Sequence, residues 1–266
     1  MPTLTVSGQP YAYSDCGSGP VILFGHGLSC DRHLFDAQID ALSDRYRCVS
    51  VDWPGHGESG YRPGGWSLDD LASDTIELID ALGSGPVTLV GLSQGGMIFM
   101  RVAARRPDLV DALVLLDTSA RAEEPERAEM VLANAARIAV ADDAERLEFY
   151  RDLALPAFYT RAWLDANPEA AEHELRLRMS HDCTGYALAV HAVATRPAVH
   201  ELAASVTAPT LIIVGELDSL TPVDHARELH DLIDGSRLAV VPGSGHHTPV
   251  EQPFIVTNLL QSFLMS

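Results

Sequence analysis

Apolar residues fall into two rhythms along this chain. The first is a set of short, unbroken runs: Val21-Ile22-Leu23-Phe24, Pro86-Val87-Thr88-Leu89-Val90, Leu113-Val114-Leu115-Leu116, Pro209-Thr210-Leu211-Ile212-Ile213-Val214 and Arg237-Leu238-Ala239-Val240-Val241. Each is followed by Gly, Asp or Pro. Runs of this length without alternation predict strands, with Val21-Ile22-Leu23-Phe24 central and covered on both faces and the second and third runs buried. Cys48-Val49-Ser50-Val51 reads as a strand too, and Leu4-Thr5-Val6 with Tyr11-Ala12-Tyr13-Ser14 predicts an opening antiparallel hairpin around Ser7-Gly8-Gln9-Pro10. The second rhythm is helical. Phe35, Ile39 and Leu42 recur at helical spacing, as do Leu71, Thr75, Leu78, Ile79 and Leu82, the latter group behind a Ser67 cap and closed by Gly83. Further helices are predicted from Met97 to a stop at Pro107, over 224–233, and from Pro253 to Leu264. Eight strands alternating with helices predict an α/β fold: a mostly parallel eight-stranded sheet with helices on both faces.

After Asp117-Thr118-Ser119 the character changes. Over 120–202 the chain is rich in Ala, Arg and Glu, its apolar positions keep helical spacing, and no strand pattern interrupts them. A helical cap (lid) over 120–202 is expected, inserted after the sixth strand into a core made of 1–119 and 203–266, where it would shape a pocket and exclude water. Phe149, Tyr150, Phe158, Tyr159, Trp163 and Tyr186 supply its aromatic surface, mostly for helix packing. His173, His181, His191 and His200 lack a ligand pattern, so no metal is expected.

Composition excludes some chemistry. The formal charge of −19 disfavours nucleic acid and anionic membranes as partners. Every basic residue is arginine, which removes Schiff-base lysines, phosphate-loop lysines and Ser-Lys dyads. Cys16, Cys30, Cys48 and Cys183 have no paired spacing and read as incidental thiols, Cys30 standing close to the pocket. No apolar run approaches the roughly 18–20 residues of a membrane helix. The first residues, Met1-Pro2-Thr3-Leu4-Thr5, carry no leader pattern, so a cytoplasmic location is expected.

The chain is organised around Gly91-Leu92-Ser93-Gln94-Gly95-Gly96, which lies between a predicted strand and a predicted helix. Strand, G-x-S-x-G, helix is the arrangement of a nucleophile elbow. Its turn is tight enough that side chains at Gly91 and Gly95 would collide with neighbours. Three loops at the carboxyl edge of the predicted sheet carry Ser93, Asp218 and His246, in that chain order. A serine hydroxyl needs a base to take its proton, and a histidine base needs a carboxylate to orient it. The amides of Leu28, in Gly25-His26-Gly27-Leu28-Ser29, and of Gln94, at the helix start, are candidates for an oxyanion hole. His26 reads as a prop for its loop, and Asp52-Trp53-Pro54-Gly55-His56-Gly57-Glu58-Ser59 as loop scaffolding. Asp117 also ends a strand and competes with Asp218 for the acid role.

These segments, with Gly245-His246 and Glu251-Gln252-Pro253, resemble the α/β-hydrolase superfamily over nearly the whole chain. The resemblance implies Ser93 as nucleophile, His246 as base, Asp218 as its orienter, and Leu28 and Gln94 as oxyanion amides, with no cofactor. The spacing from histidine to Glu-x-Pro selects His246 over His247. Serine rather than aspartate at the elbow points away from carbon–halogen and epoxide chemistry. Gly-Leu-Ser-x-Gly-Gly and Gly185-Tyr186 look like the branch of enol-lactonases and small ester hydrolases. The expectation is therefore a hydrolase of a small carboxylic ester or lactone. Three other readings stand beside it: a carbon–carbon bond hydrolase of a ring-cleavage product, a cofactor-free perhydrolase, and a slow-hydrolysing ligand sensor. The carbon–carbon reading calls for an anion-binding arginine, from Arg101, Arg151, Arg176, Arg178 and Arg196.

Overall fold

The computed structural model describes every residue except Met1 and Ser84; Met1, part of the amino-terminal stretch read above, lies outside the described residues. Eight strands form one sheet in the order β1-β2-β4-β3-β5-β6-β7-β8. They are β1 (Thr3–Val6), β2 (Gln9–Cys16), β3 (Val21–Gly25), β4 (Arg47–Val51), β5 (Val87–Leu92), β6 (Val110–Leu116), β7 (Thr210–Gly215) and β8 (Arg237–Val241). β1 pairs antiparallel with β2, and β2 with β4; the remaining pairs are parallel. This is the α/β-hydrolase fold.

The unbroken apolar runs of the inner strands are explained by coverage on both faces, while β8 is an edge strand and partly exposed. Val21, Leu23, Val87, Leu89, Leu113, Leu115, Ile212 and Val214 enter one core layer. Their neighbours Ile22, Phe24, Val90, Leu92, Val114, Leu116, Leu211 and Ile213 enter the opposite one. The first layer is completed by α2 (Leu68–Leu82) and α3 (Gln94–Arg105), the second by α1 (Asp36–Leu42) and α13 (Pro253–Leu264). α2 starts on a reciprocal cap between Ser67 and Asp70 and stops at Gly83, whose φ of 63° favours glycine.

Between β6 and β7 the regular elements are helical: α4 (Pro125–Val140), α5 (Asp143–Phe149), a π turn (Tyr150–Ala154), α6 (Leu155–Phe158), α7 (Arg161–Ala166), α8 (Pro168–Ser180), α9 (Cys183–Ala194) and α10 (His200–Ala204). They have their own small core of Ala135, Ile138, Tyr150, Leu155, Tyr159, Leu175, Tyr186 and Val190. α11 (Val223–Leu232) and the short α12 (Thr248–Glu251) complete the chain. Among the described residues no helix is long and apolar enough to cross a membrane.

Candidate active site

Ser93 sits between β5 and α3 with φ 51° and ψ −112°, a strained conformation for a residue with a side chain. The turn closes because a Cβ on Gly95 would run into the carbonyl of Gly25 at the end of β3, and one on Gly91 into the backbone of Gly95 and Gly96. Ser93 N–H donates to Leu116 O at 2.8 Å, and Thr118 Oγ1 donates to Ser93 O at 2.7 Å, so the elbow is pinned to the end of β6. Its hydroxyl is half-buried on the wall of a cavity of about 220 Å³.

His246 lines the same cavity. Its Nδ1 lies 2.8 Å from Asp218 Oδ2. A carboxylate only accepts, so the proton is on Nδ1 and Nε2 is left as the basic nitrogen. Asp218 also accepts from Leu220 N (2.8 Å), Thr221 N (3.1 Å) and Thr221 Oγ1 (2.8 Å). Burial alone would raise its pKa; the charge of His246 and these hydrogen bonds outweigh burial and hold the carboxyl at about 2. Among the described residues the Ser93 hydroxyl has no hydrogen bond.

Asp117 faces elsewhere. Its Oδ1 accepts from Gly215 N at 2.8 Å and its Oδ2 accepts from Thr248 Oγ1 at 2.6 Å. Burial, reinforced by the charge of Asp218, raises its pKa well above the usual carboxylate range. His247 is fully buried; its Nδ1 donates to Tyr159 Oη at 2.8 Å, and its ring stacks on Phe158. Cys30 is buried with its Sγ 3.7 Å from His247 Nε2, and it does not line the cavity.

Leu28 borders the cavity beside Ser93. The N–H groups of Leu28 and Gln94 donate to no acceptor among the described residues. Gln94 is the first residue of α3, where main-chain N–H groups and the helix dipole favour negative charge. The oxyanion loop is held from behind. His26 Nδ1 donates to Gly27 O (2.7 Å) while its Nε2 accepts from Trp53 N (3.0 Å). His56 Nε2 accepts from Ser29 N at 3.2 Å. Both imidazoles are fixed as neutral scaffolding, and burial lowers the pKa of His26 to about 4.

The loop carrying His246 is tied to the inserted helices. Phe158 O, at the end of α6, accepts from His246 N (3.0 Å) and His247 N (3.2 Å). The buried carboxylate of Glu251 accepts from Gly245 N (2.9 Å) on one side and from Thr160 Oγ1 (2.6 Å) and Thr160 N (3.2 Å) on the other. In sequence Glu251 was visible only as part of a motif.

The helical segment supplies most of the cavity wall. Phe149, Phe158 and Tyr186 line it, whereas Tyr150 and Tyr159 pack inside the helical core. Of the five arginines considered for anion binding, Arg196 lines the cavity; Arg101 reaches Met97 O and Asp69 instead, and Arg178 pairs with Glu174 under Phe158. Glu123 and Arg127 also line it and were not singled out in the sequence; their helical-segment position carried no signal of which way they point.

Comparison with known proteins agrees with this architecture. A family model for the alpha/beta hydrolase fold matches residues 20–253. A non-heme haloperoxidase of Rhodococcus erythropolis is 30% identical over 278 residues, covering 100% of both chains. The 3-oxoadipate enol-lactonase 2 of Acinetobacter baylyi is 27% identical, covering 94% of this chain and 91% of its own. Among solved structures, a thermophilic esterase from Thermogutta terrifontis superposes with a TM-score of 0.91 at 30% identity, covering 99% of this chain and 97% of its own.

Proposed function

The chain belongs to the α/β-hydrolase fold family, and from that premise we propose that it is a serine hydrolase cleaving a small carboxylic ester or lactone through an acyl-enzyme. The observation that carries this reading is the 2.8 Å contact of His246 Nδ1 with Asp218, which leaves Nε2 basic on the cavity that Ser93 also lines. His246 Nε2 takes the Ser93 proton as Oγ attacks the carbonyl carbon. The carbonyl oxygen becomes negative and is met by the unspent N–H groups of Leu28 and Gln94, one such donor being worth about 3–4 kcal/mol. As the adduct collapses, the protonated His246 gives its proton to the departing alkoxide. Water, deprotonated by the same nitrogen, then attacks the acyl-enzyme, and Ser93 recovers its proton as the acid leaves. The helices between β6 and β7 act here as a cap that keeps bulk water from the intermediate.

The test is turnover of p-nitrophenyl butyrate by the wild type and by Ser93→Ala. The expected loss in kcat is at least about 10³-fold, in line with removal of a serine nucleophile elsewhere. Undiminished turnover in a folded Ser93→Ala protein would sink the reading.

A further inference from the structure

The cavity is apolar over most of its wall, with Met97, Val131, Ala135, Phe149, Val190 and Val193 among its lining residues. Its charged lining is Glu123, Arg127 and Arg196, together with His246. Two guanidinium groups in an apolar pocket look at first like a receptor for a carboxylate. Their charge is already matched, and part of each donor set is engaged. Arg196 Nη1 lies 3.1 Å from Glu123 Oε2 and donates to Val193 O at 2.7 Å, while its Nε donates to Arg121 O at 3.0 Å. Arg127 Nε lies 3.6 Å from the other oxygen, Glu123 Oε1, and its Nη1 donates to Leu220 O at 3.1 Å. The neighbouring Arg121 is held by Asp224 (3.0 Å) and Glu228 (2.8 Å). Three cations therefore face three anions in this corner, and the Glu123 side chain, 14% exposed, sits between the two cations that line the cavity.

A carboxylate on the substrate would have to displace Glu123 or lie beside it, and either arrangement is unfavourable in a partly desolvated site. Building on the serine-esterase reading, we propose that Glu123 is a specificity-determining residue. By occupying Arg127 and Arg196 it sets the cavity for esters with an uncharged, apolar acyl chain and against those bearing a second carboxylate.

The experiment compares kcat/KM for p-nitrophenyl butyrate and p-nitrophenyl hemisuccinate, which have acyl chains of equal carbon count and differ in one terminal charge. The wild type is expected to favour butyrate by about 100-fold, the discrimination typical of a pocket that mismatches one group. Glu123→Gln removes the carboxylate that neutralises two guanidinium groups and should narrow that ratio at least tenfold. Arg127→Gln leaves Glu123 in place and should keep or widen it. A wild type that takes hemisuccinate as readily as butyrate overturns the inference and leaves the esterase reading standing. A wild type that hydrolyses neither overturns the esterase reading itself. An unchanged ratio in folded Glu123→Gln, or a narrowed one in Arg127→Gln, removes Glu123 from the role. Circular dichroism and a thermal melt establish folding, and the Arg127→Gln and wild-type ratios remain decisive should Glu123→Gln fail to fold.

Discussion

Among the described residues, Ser93 and Asp117 are two of four non-glycine residues with positive φ, at 51° and 44°, and they sit at the ends of adjacent parallel strands. The strain at Ser93 presents its hydroxyl to the cavity; the strain at Asp117 turns its carboxyl inward, to Gly215 and Thr248. Both Asp117 and Asp218 end strands and are buried, so the sequence left a choice that the hydrogen bonds resolve: the carboxylate on His246 Nδ1 is that of Asp218. Under the proposed mechanism Asp218→Asn should lower kcat by about 10³–10⁴-fold, because an amide in that place favours the wrong histidine tautomer. Asp117→Asn should change kcat by less than about tenfold. Its cost should appear in stability, about 1–2 kcal/mol, since an NH₂ group then confronts the Thr248 N–H. Steady-state rates and urea melts on both variants decide it, and the reverse order of kcat losses would move the acid to Asp117.

At the level of elements, the sheet was legible because each central strand is covered on both faces and so reads as an unbroken apolar run. The ends were less so. β5 continues through Gly91 and Leu92, which pair with Leu115 and Leu116, although a glycine in that place looks like a stop. α3 begins at Gln94, three residues before its first apolar side chain, because Gly95 and Gly96 are chosen for close packing and carry no helical signal. Ser93, Asp218 and His246 could be named because each directly follows or closely follows a strand. Glu123 and Arg127 could not, because Arg196, the partner that gives them meaning, lies far along the chain at the other end of the helical segment. The same is true of the staple between that segment and the histidine loop. Glu251 bonds Gly245 and Thr160 at once, so helix position and histidine position are coupled. Glu251→Gln keeps the shape but places an NH₂ against donors on one side. The expected result is a kcat reduced about tenfold with KM nearly unchanged, and about 1–3 kcal/mol lost from the unfolding free energy. Thr160→Ala should produce a smaller change in the same direction. A fall in stability with kcat intact would make Glu251 structural only.

For the whole molecule, acid is the condition that separates folded from unfolded most directly. His26, His56, His181 and His247 are buried, and burial lowers the pKa of each; for His26 and His181 it falls from 6.5 to about 4. The unfolded chain takes up these protons below pH 6.5, while the folded chain resists them, at His26 and His181 until about 4. Stability must therefore fall as pH drops through that window, by about 1.4 kcal/mol per pH unit per histidine, or about 3 kcal/mol each for His26 and His181. Three groups oppose this. Asp31, Asp117 and Glu251 have pKa values raised by burial, so the folded state holds their protons at a pH where the unfolded state has released them, and their contribution grows as pH falls. The formal charge of −19 also opposes it, since protonating surface acids relieves repulsion, but that begins near the ordinary carboxylate range of about 4 and so at the bottom of the window. Four buried histidines outweigh three acids, and the unfolding temperature should drop steadily between pH 6.5 and 4.5. Urea melts at each pH give the slope directly, and His181→Asn should remove about one proton's share of it. A melting temperature that is flat or rising over that range would mean that these imidazoles reach solvent, and the neutral scaffold behind the oxyanion loop would have to be abandoned.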